Sequence, residues 1–105
     1  MNDEPTRISK GGNKIWENSE GQYHRGGDKP ARIWIDGAQD WFKNGKKHRD
    51  IDLPAVIYPD GFCQWWINGE EIKSKYCTPE EVERYKKPYY LQKRFKFDRF
   101  ENLIK

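Results

Sequence analysis

The stretch from Asn44 to Gly69, NGKKHRDIDLPAVIYPDGFCQWWING, decides the fold, because it begins and ends on the same dipeptide and contains a complete hairpin signal. Ala55–Tyr58 is apolar and partly β-branched, the composition a strand prefers. It leads into Asp60-Gly61, a dipeptide that supplies the positive φ of a tight hairpin turn. The returning strand carries Trp65-Trp66 and reaches Asn68-Gly69, a second turn signal. Pro54 has no N–H to give to a ladder, which places it at a strand start or edge.

Working outward, the same pattern precedes this stretch at an offset of 24 residues. His24-Arg25 matches His48-Arg49, Asp28 matches Asp52, and Pro30-Ala31 matches Pro54-Ala55. Ile33, Asp36-Gly37, Trp41 and Asn44-Gly45 match Ile57, Asp60-Gly61, Trp65 and Asn68-Gly69. Half of the positions from His24 to Gly45 are identical to their counterparts, and a period in the twenties marks a repeat array. A frayed copy precedes it, with Trp16 and Gly21 echoing the Trp and Gly positions one residue out of step. After Gly69 the match fails, since Ile72 stands where a third His is due.

These residues resemble the MORN-type repeat, in a variant with the pattern NGxxHRxxGPA, a DG turn and then WWxNG. Leu53 and Lys29 replace the Gly that the pattern places before Pro54 and Pro30. The resemblance covers about residues 12 to 72. It implies an all-β hairpin array and a binding role, and through that variant it points to a bacteriophage or large-virus source.

Beyond the repeats, Thr78-Pro79-Glu80-Glu81 is a helix start, with Thr78 as N-cap, Pro79 at the first helical position and Glu81 closing a capping box. Glu80, Glu81 and Glu83 near the start and Lys86 and Lys87 near the end complement the helix dipole, and Pro88 stops it. This predicts a helix from about 79 to 87. Two conformations fit the segment that follows. Arg94-Phe95-Lys96-Phe97 alternates as a strand does, while Phe97, Phe100 and Ile104 share one helical face.

A chain of 105 residues fits one domain. Only 34% of it is hydrophobic and 35% is charged, yet 15% is aromatic, including five tryptophans. Large rings are what allow so thin a core to hold, because they bury the most area per residue. A net charge of +3 permits an acidic partner without requiring one. Cys63 and Cys77 fall in no zinc-like or CxxC spacing and read as reduced thiols. Met1 to Lys10 is too polar for a secretory signal and no apolar run is long enough to span a membrane, so a cytoplasmic location is expected.

His24, Asp28, His48 and Asp52 are metal-ligand residue types, but equivalent positions in a repeat usually do equivalent structural jobs, and Arg25 and Arg49 would repel a cation. Asp36 and Asp60 precede Gly in turns, where geometry explains them. Gly11-Gly12 and Gly26-Gly27 lack the Lys-Ser/Thr of a phosphate loop, so no cofactor is expected. No nucleophile, base and orienting acid form a set.

The sequence therefore reads as mainly β: a short tandem β-hairpin, MORN-like array over 12–72, after a flexible N-terminus at 1–11. A C-terminal helix and a basic aromatic segment follow over 73–105. The expected role is a non-enzymatic protein-binding module, an accessory inhibitor of a host protein if the source is a phage. The alternative is binding of RNA or DNA through the basic aromatic segment. The residues expected to bind are Trp34, Lys86, Lys87, Tyr89, Tyr90, Lys93, Arg94, Lys96 and Arg99.

Overall fold

Asn44 and Gly45 both have positive φ, 47° and 88°, and Asn68 and Gly69 repeat this at 47° and 86°. Two successive left-handed residues make the two-residue turn whose twist matches that of the flanking strands. The Asp-Gly sites form a different, longer loop. Gly61 N–H donates to Tyr58 O and Gly37 N–H to Trp34 O, and only the glycines are left-handed, at φ 95° and 100°. Asp60 and Asp36 cap these loops by accepting from the N–H of Phe62 and Ala38. A three-residue loop thus stands where a tight turn is expected, because an Asp side chain satisfies the second backbone donor.

The computed structural model describes residues 3–92. In chain order its elements are β1 (Arg7–Ile8), β2 (Lys14–Ile15), β3 (Arg32–Ile33), β4 (Gln39–Asp40), β5 (Phe42–Lys43), β6 (Lys46–Lys47), β7 (Val56–Ile57), β8 (Phe62–Ile67), β9 (Glu70–Tyr76) and α1 (Pro79–Tyr85). Seven strands form one antiparallel sheet in the order β1-β2-β3-β4-β7-β8-β9, and β5 and β6 form a separate ribbon. The protein is mainly β with one short helix near the end of the described chain.

The boundary expected at residue 11 falls inside a hairpin. Arg7 and Ile8 pair with Ile15 and Lys14, so the segment expected to be flexible supplies the first strand. The boundary at 72 falls inside β9, which pairs with β8 through a bulge near Trp65 and Trp66. The helix is two residues shorter than expected, with Lys86 as its C-cap. Thr78 and Glu81 form the reciprocal capping box, and the Thr78 N–H holds the Glu81 carboxyl below the usual carboxylate range.

Side chains alternate across the sheet. Ile57 and Cys63 pair on one face, where they join Trp41, Ala55 and Trp65 in the buried core. Val82 and Tyr85 of α1 pack onto that cluster, Tyr85 meeting Trp65 edge to face. Burial, with help from Cys77, pushes the Cys63 thiol up to about 12.

A polar ladder underlies the 24-residue period. The indole N–H groups of Trp16, Trp41 and Trp65 donate to the carbonyls of Asp3, Asp28 and Asp52, each thirteen residues earlier. Arg25 forks onto the Asp3 carboxylate and donates to Pro30 O. Arg49 does the same with Asp28 and Pro54 O. Each guanidinium lies over the matching indole, 3.7 Å from Trp16 and 3.9 Å from Trp41. Lys73 occupies the third position, 4.9 Å over Trp65 and 3.5 Å from Asp52. The period therefore persists one step past the point where sequence identity ends. Among the described residues, no helix is long and apolar enough to cross a membrane.

Candidate functional site

The loops that follow His24 and His48 come side by side in the fold, and the chain after α1 returns to meet them. Both imidazoles have a local task. His24 Nδ1 accepts from the Asn44 N–H at 3.0 Å and His48 Nδ1 from the Asn68 N–H at 2.9 Å. Each therefore supports an Asn-Gly turn twenty residues downstream. His48 Nε2 lies 2.7 Å from Asp50 Oδ1, which occupies its second nitrogen. Asp28 and Asp52 are engaged by Arg49 and Lys73. Among the described residues, no three His, Cys, Asp or Glu side chains are grouped to hold a metal ion.

Arg49 is the fixed point of the site. It is buried, and beyond Asp28 and Pro54 it donates to Tyr85 O at 2.7 Å and Lys87 O at 3.0 Å. Burial pulls its pKa down, while the hydrogen bond and charge of Asp28 push back. Five acceptor atoms around one planar fork leave little freedom for anything attached to it. Asp28 Oδ2 also accepts from the Tyr89 N–H at 2.7 Å, and Gln92 donates to Lys87 O. Residues 89–92 form a helical turn, while the residues on which the strand and helix readings differ, 94–104, lie outside the described residues.

This anchoring makes Tyr89 and Tyr90 part of the lining of a cleft of about 490 Å³. Their rings meet at 81° with centroids 5.6 Å apart, and the residues remain 45% and 46% exposed. Phe42, Lys43, Asp50 and Ile51 also line it. Ile51 is 61% exposed and has φ 63°, a left-handed conformation that a β-branched residue adopts only under strain. Its counterpart in the preceding unit is Gly27, at φ 73°. Arg25 and Arg49 are paired with Asp3 and Asp28, and Asp50 is bonded to His48, which leaves Lys43 to mark the cleft with a positive charge. Apolar walls with a few polar groups suit the insertion of a partner's side chains.

The structure places the sequence-predicted residues unevenly. Tyr89 and Tyr90 come together at the cleft. Trp34 is occupied within the chain: its indole N–H donates to Asp40, and Arg32 lies 4.3 Å over its ring. Arg32 and Asp40 form a half-buried ion pair beneath it. Lys86 pairs with Glu83 at 3.7 Å, and the Lys87 side chain is exposed while its carbonyl holds Arg49. Lys93, Arg94, Lys96 and Arg99 lie outside the described residues. Phe42, Lys43, Asp50 and Ile51 were missed by sequence reasoning. A signal for them exists in the positions where the two units differ: Asp50 replaces Gly26, Ile51 replaces Gly27, and Phe42 and Lys43 become Trp66 and Ile67.

No family model, curated protein or solved structure matches the chain.

Proposed function

We propose that this chain is a non-enzymatic protein-binding module that holds an anchor side chain of its partner in the Tyr89–Tyr90 cleft. One observation carries this reading. Two large rings stay about half exposed although the backbone beneath them is fixed by Arg49 and Asp28. Rigid tyrosines presented this way are the side chains that dominate protein interfaces, because little conformational entropy is lost when they are covered. The repeat's own His, Arg and Asp residues support turns and loops, which is the use a MORN-like scaffold would make of them. In a phage setting such a module would act as an accessory inhibitor of a host protein.

The test is capture of a partner from lysate before and after nuclease treatment, with wild-type and Tyr90→Ala bait. A protein that survives nuclease and is lost with Tyr90→Ala supports the reading. Loss on nuclease treatment would transfer it to RNA or DNA. That second reading is favoured by the position of Lys86 and Lys87 just before the two exposed rings, cations beside stacking surfaces.

A further inference from the structure

The sheet ends on β9, and all seven of its residues are exposed. Among the described residues no strand pairs with its outer side. Which backbone groups face outward follows from the register. Cys77 N–H donates to Gly61 O, while Gln64 O and Phe62 O accept from Ala55 and Tyr58 on the β7 side. Phe62 and Gln64, opposite Tyr76 and Ser74, thus turn their polar groups away from β9. Bonded and non-bonded pairs alternate in an antiparallel ladder, so Ser74 and Tyr76 direct N–H and C=O to the open edge.

The two faces beside this edge differ in chemistry. On one, Tyr58, Phe62 and Tyr76 form a run of rings with centroid spacings of 6.2 and 4.9 Å, and Tyr76 is 68% exposed. On the other, Lys73 and Lys75 are each about half exposed, with only long contacts to Asp52 and Glu81 at 3.5 and 3.6 Å. A second copy of the chain is a poor occupant. Placing Ser74 against the copy's Ser74 sets Lys73 opposite Lys75, and placing it against the copy's Tyr76 sets Lys75 opposite Lys75. Like charges directly across a ladder destabilise it, and lysines on an edge are a known guard against self-pairing.

We propose that β9 is a docking edge for an extended acidic segment of a partner protein, which joins the sheet as a further antiparallel strand. Its carboxylates lie beside Lys73 and Lys75, and its alternate apolar side chains continue the row of rings from Tyr76. This site is separate from the Tyr89–Tyr90 cleft and stands without it.

The probe is a short capped peptide of alternating glutamate and valine, titrated against the whole chain and followed by amide NMR. The Ser74 and Tyr76 amides should respond first, and a peptide of alternating lysine and valine should bind at least about tenfold more weakly. In an antiparallel addition, residues directly opposite Ser74 and Tyr76 share their face and exchange bonds with them, so the valine N–H groups are the ones that reach β9. Methylating those nitrogens should abolish binding, and methylating the glutamate nitrogens should preserve it. Ser74→Pro removes only an outward N–H, a change edge strands tolerate, and should also abolish binding. Equal binding of the lysine peptide or of the valine-methylated peptide would overturn the proposal. So would self-association of the chain that Ser74→Pro abolishes, which would assign the edge to a second copy.

Discussion

Arg49 and Asp28 meet fork to fork, Nε to Oδ1 at 2.8 Å and Nη2 to Oδ2 at 3.1 Å, and this pair joins one repeat unit to the unit before it. The same guanidinium holds the end of α1 through Tyr85 and Lys87, and the same carboxylate holds the Tyr89 N–H. Array and C-terminal segment are therefore coupled through two side chains.

Replacing Arg49 with Met keeps the stem over Trp41 but takes the guanidinium donor from the half-buried Asp28 and from three carbonyls. Denaturant unfolding should show a loss of about 3–5 kcal/mol, as for other buried pairs that lose one member. Arg25→Met should cost distinctly less, because its partner Asp3 stays half exposed. Equal effects of the two changes would remove Arg49 from its central position.

The histidines act as hydrogen-bond acceptors. His48→Ala leaves the Asn68 N–H unpaired and should cost about 1 kcal/mol. His48→Asn places an amide oxygen near the former Nδ1 and should recover most of that loss. A melting curve in which Asn is as harmful as Ala would contradict the turn-supporting role.

Backbone strain yields opposite signs at two positions. Ile51→Gly removes an exposed β-branched residue from φ 63° and should stabilise by roughly 1 kcal/mol after the entropy cost of glycine. Gly61→Val should lower the melting temperature more than Gly37→Val. Both glycines are left-handed, but a Cβ at Gly61 would also lie 3.2 Å from the Cys77 carbonyl, while nothing lies within 4 Å at Gly37. A lower melting temperature for Ile51→Gly would refute the strain assignment.

Acid should loosen the N-terminal end first. Hydrogen bonds from Arg25 and then Lys29 lower the Asp3 carboxyl from 3.8 to about 2. An acid whose folded pKa is depressed contributes stability above its unfolded pKa, and that contribution is lost as pH falls toward the folded value. Between about pH 4 and pH 2 the wild type should therefore lose this contribution, and Asp3→Asn should not. Parallel acid titrations of the two proteins would sink the assignment.

Much of the fold was legible because turn chemistry is local. Asn-Gly and Asp-Gly mark the hairpin turns between His24 and Gly69, though not the turns at Gly27-Asp28 and Ile51-Asp52, and Thr78 to Glu81 mark the helix start. The lengths of the Asp-Gly loops were not legible, since they depend on an Asp side chain reaching the backbone. Lys73 was hidden because the third unit keeps a cation and loses the identities around it. Pro88 is the local stop signal for α1, but the bond from Arg49 to the carbonyl of its last residue, Tyr85, comes from thirty-six residues earlier, and no local signal shows that. The cleft was half legible: Tyr89 and Tyr90 were visible as bare aromatics in a basic segment. Phe42, Lys43, Asp50 and Ile51 are ordinary residues until the fold brings two non-identical loops together. Trp34 was expected to bind because its partners, Arg32 and Asp40, meet it only once β3 and β4 pair.

The most direct test of the binding account is the affinity of the nuclease-resistant partner for wild type, Tyr89→Ala and Tyr90→Ala, at low and high salt. Truncating at least one of the two tyrosines should cost about 2 kcal/mol or more at both salt concentrations, as an interface anchor does. Unchanged affinity in both variants would contradict the account. So would affinity that collapses with salt, as counterion release from phosphates demands.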